Sequence, residues 1–124
     1  SQASKFVIID DSEYTLMALS QQLTDLGVGH ITLNSEDQFA EFCTQNNEKL
    51  AGNYIFLIDK NLKSVSGFAL FNILIGKFNV SVSNIIMMSG EIFNLEDELV
   101  RCAPEDVSVL YKPFKLIDYI EIIP

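Results

Sequence analysis

Histidine, cysteine and basic residues are all scarce in this chain. The one histidine, His30, disfavours a histidine-rich metal site and leaves a Ser-His-Asp triad a single candidate base. The two cysteines, Cys43 and Cys102, lie far apart in no metal or redox spacing, so we expect buried, reduced thiols in a cytoplasmic protein. Only 8 Lys and Arg residues oppose 17 Asp and Glu residues. The net charge of -9 would repel a phosphate backbone and disfavours direct nucleic-acid binding.

Long apolar runs are absent as well. No stretch approaches the roughly 20 apolar residues that a membrane-spanning helix needs, so we expect no membrane segment. The N-terminus has no basic stretch followed by a long apolar region, which disfavours a signal peptide. Hydrophobic residues make up 48% of the 124 residues and charged residues 20%. This composition indicates one folded domain over residues 1–124, with a substantial core.

Five short apolar runs alternate with helical patterns along the chain. The runs that we interpret as strands cover residues 6–9, 30–33, 54–58, 85–88 and 107–111. The first, third and fourth are apolar on both faces, which is typical of strands covered by helices on both sides. The alternation predicts an α/β fold with a doubly wound, five-stranded parallel sheet.

The predicted helices begin at capping residues. Ser12 and Ser35 are candidate N-caps for the first two helices, and Gly27 and Gly29 follow the first one. Three further helices are predicted over about residues 68–75, 95–102 and 114–123, and the one over 95–102, the fourth helix of the chain, is short and acidic.

Polar residues follow four of the predicted strands at their carboxyl ends. Asp10 and Asp11 follow the first, Asp59 the third, Ser89 the fourth and Lys112 the fifth. Ligands of open α/β sheets bind outside these strand ends. We therefore expect three carboxylates, a hydroxyl and an ammonium to converge at one edge of the sheet.

This set of groups indicates phosphoryl chemistry assisted by a metal. Crowded carboxylates repel one another unless a cation joins them, and Mg²⁺ prefers oxygen ligands. The Ser89 hydroxyl and the Lys112 ammonium could then bond the oxygens of a phosphoryl group. A carboxylate can attack phosphorus, so Asp59 is the candidate nucleophile and an aspartyl phosphate the expected product.

The stretches "VIIDD", "IFLIDKNLKSVSG", "IIMMSGE" and "LYKPF" together resemble the receiver domain of two-component response regulators, of the kind found in the chemotaxis regulator. The resemblance covers essentially the whole chain, with the motifs in order. It implies a flavodoxin-like sheet with strand order 2-1-3-4-5. It also implies a signalling domain and not an enzyme, one that catalyses only its own phosphotransfer and dephosphorylation.

The resemblance implies roles for individual residues. Asp11 matches the direct Mg²⁺ ligand and Asp10 a ligand acting through water. Asp59 matches the phosphoacceptor, itself a metal ligand, and Asn61 matches the position whose backbone carbonyl completes the metal shell.

Other positions match groups around the phosphoryl oxygens. Ser89 and Lys112 match the hydroxyl and the lysine that bond these oxygens. Pro113 implies a cis Lys112–Pro113 bond, and Gly67 matches a loop glycine.

Three positions depart from the family pattern. Lys63 stands where proline is usual, and Lys60, next to the acceptor, stands where apolar residues are common. Val109 replaces the aromatic residue that usually switches with the serine, and Tyr111 on the same strand face is no equivalent. These departures concern how a signal leaves the domain more than phosphorylation itself.

The resemblance also implies partners. The expected phosphoryl donor is a phosphohistidine on a sensor histidine kinase or a histidine phosphotransfer protein. The stop at Pro124, before a full-length last helix, leads us to expect a truncated chain, with a C-terminal output domain or a separate target protein. Receiver domains often pair through their output face, so a homodimer is compatible with the pattern.

Other interpretations stay open at this stage. Taken singly, each polar residue could be a helix cap, a turn residue or a surface charge. A receiver-like module that binds partners without phosphorylation would keep the same fold. A magnesium-dependent phosphohydrolase usually carries an acid–base carboxylate two residues after its nucleophile, where this chain has Asn61. A nucleotide-binding module would need a glycine-rich loop after the first strand.

Overall fold

The computed structural model describes residues 5–118, which form a five-stranded, fully parallel sheet. Its strand order is β2-β1-β3-β4-β5, which confirms the predicted doubly wound, flavodoxin-like α/β fold. The strands are β1 (Lys5–Ile9), β2 (His30–Leu33), β3 (Tyr54–Asp59), β4 (Ile85–Ser89) and β5 (Ser108–Tyr111).

Three helices connect the strands: α1 (Glu13–Asp25), α2 (Glu36–Gln45) and α3 (Gly67–Lys77). The predicted N-caps are confirmed, since the Ser12 hydroxyl accepts from the Thr15 N–H and the Ser35 hydroxyl from the Gln38 N–H. An irregular helical turn over Leu50–Asn53 leads into β3, and short 3₁₀ turns cover Val82–Asn84, Leu95–Asp97 and Pro104–Asp106. No helix in the described part of the chain is both long and apolar enough to cross a membrane.

The sheet divides the apolar core into two clusters. Val7 and Ile9 of β1 face one cluster, which α2 and α3 cover, while Phe6 and Ile8 face the other, which α1 covers. All four side chains are fully buried. This two-sided burial explains why β1 is a continuous apolar run and not an alternating one.

The two cysteines and the histidine differ in how far the fold buries them. Cys43 is buried, as expected, and its burial raises the pKa of its thiol to about 11. Cys102 is only half-buried, which makes that part of the prediction wrong. His30 is half-buried in β2, where its Nε2 lies 2.7 Å from the Ser20 hydroxyl.

The prediction of a fourth helix over about residues 95–102 is wrong. Only the 3₁₀ turn Leu95–Asp97 forms, and Glu98 already has extended backbone angles. Asn72 of α3 holds the backbone beyond: its amide nitrogen donates to the Leu99 carbonyl at 2.6 Å, and its amide oxygen accepts from the Arg101 N–H at 2.9 Å.

The predicted last helix, 114–123, falls largely outside the described residues. Within them, a single helical turn forms over 116–118, where the Asp118 N–H donates to the Lys115 carbonyl at 3.0 Å.

Gly67 marks a close approach of two backbone segments. A Cβ at this position would lie well inside van der Waals contact of the Asp59 carbonyl oxygen and 2.9 Å from the Asp59 carbonyl carbon. The Gly67 N–H donates to the Lys60 carbonyl at 2.7 Å, which draws the start of α3 against the end of β3. Glycine is therefore required here by space.

We expect Gly67→Ala to lower the free energy of unfolding by about 2 kcal/mol or more, because backbone must move to admit the methyl group. Urea denaturation measures this change. Gly90→Ala is the matched control, since a Cβ at position 90 would meet no atom within 4 Å; it should change the free energy by less than about 0.5 kcal/mol. Equal stability of Gly67→Ala and the wild type would contradict the close approach.

Candidate functional site

The carboxyl ends of β1, β3, β4 and β5 bring polar side chains to one edge of the sheet. Asp10, Asp59 and Ser89 are buried there, although polar side chains of these types are mostly exposed in proteins. Backbone hydrogen bonds extend the sheet past the strand ends. The Lys60 N–H donates to the Met88 carbonyl at 2.8 Å, and the Lys112 N–H donates to the Ser89 carbonyl at 2.7 Å. These bonds fix where each functional side chain leaves the sheet.

Lys112 joins two buried carboxylates. Its Nζ lies 2.6 Å from Asp10 Oδ2 and 3.0 Å from Asp59 Oδ1. Three different strand ends therefore meet at one ammonium group, as the sequence predicted for these residue types. The peptide bond between Lys112 and Pro113 is cis, which confirms that prediction.

A third carboxylate, that of Asp11, completes an acidic cluster. Oxygen atoms of Asp10, Asp11 and Asp59 all lie within 4.8 Å of one another. Ser12 supports the cluster, since its backbone N–H donates to Asp10 Oδ1 at 2.9 Å. One ammonium cannot neutralise three carboxylates, so the cluster keeps an excess of negative charge. An all-oxygen anionic donor set of this kind fits a hard divalent cation such as Mg²⁺.

Burial and charge within the cluster raise the pKa values of both Asp59 and Lys112. Burial raises the pKa of Asp59, and the negative charges of Asp10 and Asp11 raise it further, against the opposing effect of Lys112. Burial alone would lower the pKa of Lys112, but its hydrogen bonds and charge interactions with Asp10 and Asp59 outweigh burial and raise it. Ionised Asp59 is thus destabilised where it lies, while protonated Lys112 is held in place.

Ser89 and Asn61 do not join this ion-pair network. The buried Ser89 hydroxyl donates to the Glu91 carbonyl at 2.6 Å and accepts from the Glu91 N–H at 3.1 Å. Asn61 is exposed and forms an isolated antiparallel bridge with Ser66. Phosphoryl binding by Ser89 and metal binding by the Asn61 carbonyl stay predictions.

Val109, one of the departures from the family pattern, and Tyr111 on the same strand have different surroundings. Val109 is half-buried against the core, and Tyr111 has its ring centroid 6.3 Å from that of Phe93. The sequence suggested no partner for Tyr111, because Phe93 lies in the connection where a helix was predicted.

Lys60 is the residue whose surroundings the sequence gave least reason to expect. Its side chain is only 11% exposed, and its Nζ lies 3.4 Å from the carboxylates of both Glu91 and Glu98. The partners are 31 and 38 positions away, so no local pattern could connect them. The run of acidic residues near 96–98 was the only available signal.

The fold can now be compared with known proteins. Neither the scan against protein-family models nor the search of curated proteins found a match. Among solved structures, the chain is similar to a response regulator receiver protein from Sinorhizobium medicae, with 19% identity, 98% of this chain and 92% of that one covered, and a TM-score of 0.73. It is similar to the chemotaxis protein CheY4 of Vibrio cholerae, with 16% identity, 99% and 100% coverage, and a TM-score of 0.70.

This chain has the receiver-domain fold. A longer protein also carries that fold: the response regulator DrrB of Thermotoga maritima matches 97% of this chain with 50% of its own length, at 16% identity and a TM-score of 0.67. At such identities the likeness establishes the architecture, and the roles of single residues in this receiver fold rest on the geometry given above.

The raised pKa of Asp59 predicts the effect of neutralising it. A carboxyl whose pKa is raised by folding costs stability above that pKa, where it is ionised, and costs none once protonated. We expect Asp59→Asn to raise the melting temperature by a few degrees in EDTA near neutral pH, since the amide oxygen can still accept from Lys112. The difference should shrink as the pH falls through the raised pKa.

Thermal unfolding measures this difference. The matched control is Asp25→Asn, an exposed aspartate at the C-terminal end of α1, where loss of the negative charge should raise the melting temperature only slightly. An Asp59→Asn variant that melts below the wild type in EDTA would contradict the described balance of burial and charge.

Proposed function

We propose that this chain is the phosphoacceptor receiver domain of a two-component response regulator, with Asp59 as the acceptor. The observation that carries the proposal is the Lys112 ammonium bonded to both Asp10 and Asp59 within a three-carboxylate cluster. The receiver fold supports the proposal but would be equally compatible with a module that binds without phosphorylation.

Asp59 is suited to act as the nucleophile. Lys112 holds Oδ1, which leaves Oδ2 to attack phosphorus. The new O–P bond forms as the P–N bond of a donor phosphohistidine breaks, and the imidazole leaves with the electron pair. Burial, together with the negative charges of Asp10 and Asp11, raises the pKa of Asp59, and a carboxylate of raised pKa is the stronger nucleophile once it is ionised.

Asp10, Asp11 and Asp59, with the backbone carbonyl of Asn61, are the residues that would hold Mg²⁺. When bound, the ion supplies positive charge that neutralises the oxygens of the phosphoryl group. The fit rests on the donor set, because the three carboxylates offer oxygen atoms within 4.8 Å of one another and two of them are buried.

After transfer, two side chains orient the product. Lys112 would exchange its bond to Asp59 Oδ1 for a bond to a phosphoryl oxygen while keeping Asp10. Ser89 would turn its hydroxyl from the Glu91 carbonyl toward a second phosphoryl oxygen. A signal requires such contacts, because a ligand that bonds two states equally shifts neither.

The partners follow from this chemistry. The donor is a sensor histidine kinase or a histidine phosphotransfer protein, in the cytoplasm. The output is a C-terminal domain or a separate target, as the longer chain of DrrB illustrates for another protein with this fold.

Incubation with acetyl phosphate and Mg²⁺ tests the proposal. Intact-mass spectrometry should show one added phosphoryl group, labile to base, on the wild type and on the exposed control variant Asp25→Asn. Asp59→Asn, and the wild type in excess EDTA, should gain none.

Two other outcomes would point elsewhere. A wild type inert toward both acetyl phosphate and beryllofluoride would overturn the proposal in favour of a phosphorylation-independent interaction module. That alternative is favoured by Lys60, Lys63 and Val109, which depart from the usual signalling pattern. Release of product from a small phosphoester over many turnovers would instead indicate a hydrolase.

A further inference from the structure

The connection between β4 and β5 contains a segment restrained chiefly by side chains. This Glu91–Glu98 segment has no α-helix, and its ends carry the two carboxylates that Lys60 contacts. Lys60 follows Asp59 directly in the chain. One side chain therefore links the residue after the proposed acceptor to both ends of the segment.

Aromatic packing strengthens this link. Lys60 Nζ lies 4.8 Å from the centroid of the Phe93 ring, within the range of a cation–π interaction. Phe93 packs in turn on Phe68 of α3, at 5.9 Å between ring centroids, and on Tyr111 of β5. The ammonium thus lies between two carboxylates and an aromatic face, largely shielded from solvent.

Beyond the Glu91–Glu98 segment, the chain is anchored independently. Asn72 bonds the Leu99 carbonyl and the Arg101 N–H with the two ends of its amide. Loss of the Lys60 contacts should therefore loosen residues 91–98, where Phe93 and Leu95 still pack against the core, and leave residue 101 in place.

Glu91 is also bonded from the site itself. The one proton of the Ser89 hydroxyl is donated to the Glu91 carbonyl at 2.6 Å. A phosphoryl oxygen that accepts this proton removes the bond. The Lys60 contacts and the packing of Phe93 on Phe68 and Tyr111 are then the restraints that remain on this end of the segment.

We propose that Lys60 couples the acceptor to the connection between β4 and β5. Its contacts and the two Ser89–Glu91 bonds restrain the Glu91–Glu98 segment together, so that the segment loosens when Ser89 is drawn to a phosphoryl group on Asp59. The inference rests on the proposed function. Position 109 is valine in this chain, without the aromatic ring that usually takes part in signal output, and Lys60 takes over that part. Without Lys60, the segment is already looser before any phosphoryl group arrives.

Amide hydrogen exchange followed by NMR tests this coupling at single residues. Two amides report on the segment: Glu91 N–H, which donates to Ser89 Oγ, and Glu98 N–H, which donates to the Leu95 carbonyl. In the wild type, Mg²⁺ with beryllofluoride, a phosphoryl mimic, should speed exchange at both amides. Lys60→Met without beryllofluoride should already exchange there roughly fivefold faster than the wild type, as expected for about 1 kcal/mol of lost restraint.

Controls lie within the same chain. Lys63→Met removes an exposed lysine from the same loop, which makes no ion pair within the described residues, and should exchange like the wild type. The Arg101 amide, bonded to Asn72, should stay protected in every variant. If Lys60→Met fails to fold, Glu98→Gln removes one of the two ion pairs and should give a smaller increase in the same direction.

The outcomes separate the two proposals. Failure of beryllofluoride to bind the wild type would overturn the proposed function. Binding of beryllofluoride with unchanged exchange at Glu91 and Glu98 would overturn the coupling alone. Wild-type exchange rates in folded Lys60→Met would also overturn it.

Discussion

The ammonium of Lys112 between the carboxylates of Asp10 and Asp59 is the interaction on which this molecule's functional edge depends. Three crowded carboxylates repel one another, and the burial of Asp10 and Asp59 adds a cost of desolvation, so the cluster needs positive charge beside it. Lys112 supplies one positive charge, at 2.6 Å and 3.0 Å from its two partners. The charge left over fits the divalent cation that we propose, and that cation would in turn offset the negative charge of an incoming phosphoryl group.

A second lysine organises the surface beside this site. Lys112 and Lys60 each contact two carboxylates, but Lys112 joins strand ends inside the site, whereas Lys60 joins the end of β3 to the connection between β4 and β5. Ser89 lies between the contacts of the two lysines. Its backbone carbonyl accepts from the Lys112 backbone N–H, and its hydroxyl donates to the Glu91 carbonyl. A change at the acceptor can therefore reach the exposed connection through few atoms.

Sequence reasoning predicted the features that depend on local or strand-end patterns. The apolar runs gave the parallel sheet, and the rule that ligands gather at carboxyl strand ends placed Asp10, Asp11, Asp59 and Lys112 together. It failed for residues 95–102, where the amide of Asn72, more than 25 residues earlier, bonds backbone that a helix would have used. Sequence reasoning could not predict the partners of the Ser89 hydroxyl or the Lys60 ammonium, because those partners lie in the connection between β4 and β5, whose backbone path was predicted wrongly.

A crystal structure of the protein grown with Mg²⁺ and beryllofluoride would show whether the three carboxylates and Lys112 act together. We expect one metal ion held by Asp10, Asp11 and Asp59, a beryllofluoride group on the Asp59 carboxylate, and the Lys112 ammonium bonded to a fluorine. An ion bound away from the three carboxylates, or an unmodified Asp59 still paired with Lys112 at saturating beryllofluoride, would contradict this expectation.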